Sequence, residues 1–166
     1  MKVNIALLTV TDTRTFDNDK SGAILVDKIK EANHNLVDRK ICKDNKDDIV
    51  VILKDWIKQS NIDVVITTGG TGLTGRDITP EALDEIAEKH ITGFGEIFRY
   101  LSLKTVGTSA IQSRACAVLA NGKYIFALPG SSGGVTDAWE GILKHQLDIN
   151  HKPCNFVELF PRLKEK

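Results

Sequence analysis

Hydrophobic residues along this chain keep two rhythms. Residues 3–10, 64–66 and 123–128 are short, nearly continuous apolar runs. Runs of that length read as strands covered on both faces. Between them apolar positions return every three or four residues, the spacing of one helix face. Leu25 pairs with Ile29, Ile49 with Leu53 and Trp56, Leu83 with Ile86, and Phe94 with Phe98 and Leu101; Val135, Ala138, Ile142 and Leu147 mark a last long helix. Residues 36–41 alternate poorly and read as an outer strand, and 154–160 as a candidate edge strand. Gly93, Phe94 and Gly95 read as a break, and residues 107–109 as the lead into a helix carrying Ser113, Arg114 and Ala117. Alternating strand and helix signals predict an α/β fold with a mainly parallel sheet and helices on both faces.

Polar or glycine-rich clusters follow the predicted strands at residues 9–14, at Asp44, at 68–77 and at 129–134. Ligands of such sheets bind outside the carboxyl ends of the strands. Four such loops on one rim predict a single composite site. Helix starts are signalled nearby: Ser21 as a cap or a ligand, Asp44 with Asp47 as a capping pair, and Thr79 as a cap before Pro80.

The densest cluster is the loop with Gly69, Gly70, Gly72 and Gly75, followed by Arg76 and Asp77. Glycine permits tight turns and close approach of backbone to a ligand, and successive N–H groups can form an anion-binding concavity. The loop therefore reads as a holder of nucleotide phosphates, with Asp77 beside it for Mg²⁺. Two familiar motifs nearly match. Gly70, Gly72 and Gly75 fit GxGxxG, but there the glycines open the helix directly, and the acid required about 20 residues on falls near Glu88, around the end of a helix. Gly70 and Gly75 have the spacing of a phosphate-binding P-loop, but Arg76-Asp77 replaces the lysine and hydroxyl that it needs.

The 166 residues suit one domain, spanning 1–166, with a substantial core. Lys+Arg and Asp+Glu are both 22, which argues against nucleic acid as a partner. Cys42, Cys116 and Cys154 fit no zinc spacing. The apolar run near Met1 is too short for a signal peptide or membrane span, so a cytoplasmic protein is expected. A glycine loop, two candidate carboxylates (Asp77 and Asp44) and no evident nucleophile suggest phosphoryl or nucleotidyl transfer. Arg76, Arg14 and Lys43 are candidate phosphate partners.

The residues that carry a family resemblance are Ala6-Leu7-Leu8-Thr9-Val10-Thr11-Asp12-Thr13, Asp19-Lys20-Ser21-Gly22, the run TTGGTGLTGRDITPEAL from Thr67 to Leu83, Gly93-Phe94-Gly95-Glu96, Gln112-Ser113-Arg114 and Leu128-Pro129-Gly130-Ser131. On these the chain resembles the MoaB/Mog family of molybdenum-cofactor biosynthesis proteins, and its Lys152-Pro153-Cys154-Asn155-Phe156 tail is similar to the MoaB branch. The resemblance implies a three-layer α/β/α sandwich that assembles as a trimer or a hexamer of two trimers. It implies MgATP-dependent adenylylation of molybdopterin: the pterin's terminal phosphate attacks the α-phosphorus and pyrophosphate leaves. It also implies site roles. Asp77 and Asp44 would be catalytic and hold Mg²⁺. Thr68, Gly69, Gly70, Thr71, Gly72, Asp12, Ser21 and Gly22 would bind the nucleotide, and Ser113, Arg114, Pro129, Gly130 and Ser131 the pterin. A molybdenum-insertion protein is an expected partner. Ser131-Ser132 stands where active Mog-like sequences carry Asn or Gln then Pro, and this leaves a second expectation, binding of pterin or nucleotide without turnover.

Overall fold

The computed structural model describes residues 1–165; residue 166, the last of the expected domain, lies outside them. The chain runs β1 (Asn4–Val10), α1 (Lys20–Glu31), β2 (Asn35–Cys42), α2 (Lys46–Lys58), β3 (Val64–Thr68), α3 (Thr79–Ile86), β4 (Lys89–His90) and α4 (Thr92–Val106). A 3-10 segment (Gly107–Gln112) then leads to β5 (Cys116–Ala120), β6 (Lys123–Leu128) and α5 (Ser132–Ala138). α5 runs on through a π-helical stretch (Trp139–Leu143) into α6 (Lys144–Gln146), and a 3-10 turn (Val157–Arg162) follows.

Six strands form one sheet in the order β2-β1-β3-β6-β5-β4. β2, β1, β3 and β6 are parallel, and β5 and β4 run antiparallel to their neighbours. The apolar runs are continuous because both faces of the sheet are covered. Ile5, Leu7, Val64, Ile66 and Phe126 face α1, α4 and α5, through Leu25, Ile29, Phe94, Phe98, Val135 and Ala138. Ala6, Leu8, Val65 and Ile125 face α2 and α3, through Ile49, Leu53, Trp56, Ala82 and Leu83. Each such fully buried aliphatic side chain contributes about 1.5–3 kcal/mol. This is the expected three-layer α/β/α arrangement.

Four local expectations are corrected. Gly93, Phe94 and Gly95 lie inside α4 and do not break the chain. Phe94 packs on Phe126 with ring centroids 5.1 Å apart, and a Cβ at Gly95 would come within 2.6 Å of the Ala115 carbonyl, so close packing explains both residues. Residues after 112 do not continue a helix. Asn121 (φ 49°) and Gly122 (φ 72°) form a two-residue hairpin turn, and that chemistry joins antiparallel strands, so Ala117 sits in β5 opposite Phe126. The tail is not a strand. Phe156 and Phe160 instead stack on Tyr124, at 4.6 and 5.7 Å between centroids. Finally, Asp19, not Ser21, caps α1, accepting from the Gly22 N–H.

Candidate functional site

The parallel register sets the rim. Thr9 lies opposite Ile41 and Thr68, and Thr68 opposite Leu128. The four parallel strands therefore end at one level, and their loops converge on a cleft of about 570 Å³. Its walls include Thr11, Thr13 and Arg14 after β1, Asp44 after β2, Thr68 at the end of β3 with Gly69, Gly70, Thr71, Gly72 and Asp77 after it, and Pro129, Gly130 and Ser131 after β6. The segment before β5 adds Ser109, Gln112 and Ser113. Ser109 and Gln112 were not expected there; reading Asn121-Gly122 as a hairpin would have reversed β5 and brought them to this rim.

The floor is the bend at Gly69 and Gly70. Both have positive φ, 102° and 69°. A Cβ at Gly69 would lie 2.2 Å from the Val10 carbonyl oxygen, and one at Gly70 2.4 Å from Thr79 Oγ1. Thr79 is not a helix cap. Its hydroxyl donates to the Gly69 carbonyl (2.8 Å) and its N–H to the Gly70 carbonyl (3.0 Å), which pins the bend to the start of α3. Thr68 Oγ1 donates to the Pro129 carbonyl (2.8 Å) and the Gly69 N–H to Leu128 (3.0 Å), tying the bend to the β6 loop. Among the described residues no acceptor takes the N–H of Gly70 or Thr71.

Asp44 does not cap α2; Asn45 does, accepting from the Asp48 N–H at 3.1 Å. Among the described residues no side chain donates to the Asp44 carboxylate, which takes a backbone N–H from Asp12, and its Oδ1 faces Gly70. Partial burial, and then the negative charges of Asp12 and Asp77, push its carboxyl above the usual range. Asp77 is the opposite case. Partial burial works against its ionised form, but the Thr74 hydroxyl (2.7 Å) and N–H (2.9 Å) and the Gly72 N–H outweigh it and hold the carboxyl below the usual range. Two acids facing one cleft are thus pushed apart in proton affinity, a pattern common at functional sites. Among the described residues no group of three or more His, Cys, Asp or Glu is placed to hold a metal. Mg²⁺ needs no such group, since one or two carboxylates with phosphate oxygens suffice.

Four expected ligand residues are engaged elsewhere. Asp12 is held by Arg76 in a bidentate pair (2.8 to 3.0 Å) and accepts the Asp44 N–H, so it links two loops. The same pair removes Arg76 from the candidate phosphate partners. Ser21 and Gly22 are buried behind the wall, on Asp19. Asp19 also accepts from Thr9 Oγ1 (2.6 Å) and Arg39 (3.0 Å). Arg114 turns from the cleft: Nε donates to the Gly72 carbonyl, Nη2 to the Asp77 carbonyl (both 2.7 Å) and Nη1 to Glu81. It shapes the acid loop from behind. Glu88 lies at the β4 edge of the sheet and accepts the Asn121 N–H, far from where a dinucleotide fingerprint needs its acid.

Comparison with known proteins places this geometry. Residues 6–149 match the family model described as a probable molybdopterin binding domain. Molybdenum cofactor biosynthesis protein B of Escherichia coli (strain K12) is 46% identical over 161 residues, covering 97% of this chain and 93% of that protein. A crystal structure of a molybdenum cofactor biosynthesis protein B superposes with a TM-score of 0.89 at 36% identity, over 100% of this chain and 98% of that one. The tungsten cofactor synthesizing protein MoaB of Pyrococcus furiosus gives 0.77 at 35%, over 87% and 92%. The chain belongs to the MoaB/Mog family of molybdenum cofactor biosynthesis proteins.

Proposed function

We propose that this chain is a molybdopterin adenylyltransferase acting in molybdenum cofactor biosynthesis. The observation that carries the reading is the cleft floor, where the N–H groups of Gly70 and Thr71, with no acceptor among the described residues, lie beside an Asp44 carboxylate that no side chain of those residues pairs. Free amides at a fixed bend suit phosphate oxygens, and a carboxylate that no cationic side chain pairs among the described residues, beside two other acids, suits a cation. Asp44 and Asp77 are the residues to hold Mg²⁺, which when bound screens the triphosphate charge. The bend positions the α-phosphorus. The pterin's phosphate oxygen forms the new P–O bond, the bond to the β-phosphate breaks, and pyrophosphate leaves. No protein nucleophile is required, so the chain's work is orientation and charge stabilisation.

The same reading includes self-association. α4 presents Ile97, Tyr100, Leu103 and Val106 at half exposure or more, and Ile111 follows at 82%. Such a ridge on a helix whose other side is core suits contact with further copies of the chain.

The test is pyrophosphate release from molybdopterin and MgATP. Asp77→Ala should lower turnover by about 10²–10³, the usual cost of one key electrostatic group. A folded wild-type protein that releases none ends the enzyme reading. Binding without turnover is the second reading, and one contact favours it: the Ser131 hydroxyl, at an expected pterin position, is already taken as the cap of α5 by the Gly134 N–H (3.1 Å). Calorimetry with the same ligands, run beside the release assay, separates the two.

A further inference from the structure

Arg14 differs from the other arginines around the cleft. Arg76 is committed to Asp12, and Arg114 to carbonyls and Glu81. Arg14 is half-buried and, among the described residues, is the one cationic side chain in the cleft wall. Among the described residues only Nη1 has partners, donating to Ser21 Oγ (3.2 Å) and the Gly130 carbonyl (3.1 Å). Among the described residues no carboxylate pairs with Arg14, and its Nε and Nη2 have no acceptor. Both anchors of Nη1 are neutral oxygens, so they fix the guanidinium without cancelling its charge. A guanidinium held at one nitrogen, with the rest of its fork free, matches the oxygens of a phosphate group.

Its position gives the cleft two electrical ends. Ser21 belongs to α1 and Gly130 leads into α5, both on one face of the sheet. Asp44 leads into α2 and Asp77 into α3, both on the other face. A phosphate dianion without a metal is repelled by Asp44 and Asp77 and attracted to Arg14. A polyphosphate carrying a divalent cation has the opposite preference.

We infer that Arg14 is the specificity-determining residue that receives the metal-free phosphate monoester of the acceptor substrate, the attacking group, while the acid end takes the metal-bound nucleotide. The assignment of that phosphate as the attacking group rests on the transferase reading; the presence of a phosphate subsite at Arg14 does not. Ser21 is a positioning residue for Arg14, held in turn by Asp19, whose side chain is fully buried.

Two titrations test this in calorimetry: inorganic phosphate in the presence of a chelator, and ATP with Mg²⁺. Wild type should bind both. Arg14→Gln should weaken phosphate binding roughly 10- to 100-fold, the range for lost hydrogen bonds to a charged group, and change MgATP binding by less than about threefold. Arg14→Lys keeps the charge without the fork and should fall between; it carries the comparison if the glutamine variant does not fold by circular dichroism. Unchanged phosphate affinity in Arg14→Gln, an equal loss for both ligands, or no phosphate binding by wild type overturns the inference. Phosphate binding that depends on Arg14, in a protein that releases no pyrophosphate, supports the subsite and refutes only the transferase reading.

Discussion

Adding one methyl group at Gly70 tests the geometry of the cleft floor. Gly70→Ala has two costs. A residue with a Cβ at φ 69° gives up about 1–2 kcal/mol in the left-handed region. The new Cβ would also lie 2.4 Å from Thr79 Oγ1, so the hydroxyl must leave the Gly69 carbonyl that it now meets at 2.8 Å. A buried carbonyl that loses its donor costs about 1–3 kcal/mol. Together these give roughly 2–5 kcal/mol, out of a total stability of about 5–15 for a typical domain. Thr79→Ala removes the same hydroxyl and should cost about 2–4 kcal/mol, the lost bond plus a buried methyl. In the double variant the obstruction is gone before the methyl arrives. The double should therefore exceed Thr79→Ala by the backbone strain alone, and fall short of the sum of the singles by about 1–3 kcal/mol. Urea unfolding at equilibrium measures all four corners of the cycle. Strict additivity, within about 0.5 kcal/mol, would refute the packing of Thr79 against Gly70 and with it the pinned bend.

Three further outcomes follow from named contacts. Asp44→Asn should abolish most turnover yet stabilise the protein at neutral pH. The folded-state carboxyl of Asp44 lies above the ordinary aspartate range, through burial and then the charges of Asp12 and Asp77; the wild type thus loses stability as pH rises from that ordinary range to the raised one, and the advantage of the amide should vanish below the ordinary range. Thermal melts of both proteins at neutral and strongly acidic pH check the sign. Ile97→Asp combined with Leu103→Asp should leave the melt nearly unchanged, since both side chains are about half exposed, and should shift sedimentation toward a monomer. Gly75→Ala should be neutral or stabilising by about 0.4–1 kcal/mol, because a Cβ there meets nothing within 4 Å, and MgATP binding in calorimetry should persist; its loss would return weight to a dinucleotide-type use of GxGxxG.

The layers were legible because burial on both faces writes itself into sequence as unbroken apolar runs, as in β1 and β3. The rim was legible for the same reason, since each polar cluster stood just past such a run. What escaped notice was set by contacts between distant residues. The Asp12–Arg76 pair spans 64 positions and the Arg114 clamp on Gly72 spans 42. In sequence each is only a charged residue near a motif, and a ligand role and a loop-tying role read alike. The capping assignments failed differently. Asp44 and Asn45 are adjacent and both suit a cap, and only geometry shows that Asn45 takes the role and leaves Asp44 open. One miss had a local signal: Asn121-Gly122 is a hairpin turn by composition alone.

That distinction also changes what the glycines mean. Gly69 is required because the Val10 carbonyl leaves no room for a Cβ, and a Cβ at Gly130 would in turn stand 3.3 Å from the Gly69 Cα. Both constraints come from neighbouring loops packing at the strand ends, and they would hold with no ligand at all. Gly70 is required by Thr79, again a partner within the protein. Glycine density is therefore weak evidence for a phosphate site. The stronger evidence is what the bend leaves over. The Gly69 N–H is used on Leu128 and both carbonyls of the bend are used on Thr79, while the N–H groups of Gly70 and Thr71 are used on nothing among the described residues. A fold that satisfies the acceptors of a tight turn and leaves two adjacent donors among the residues lining a cleft has a net preference for anions there. That preference meets an acid at Asp44, 3.4 Å from where a Gly70 Cβ would stand. An anion and an ionised carboxylate share so small a space only if a cation joins them, so the proposed nucleotide would arrive there with its metal.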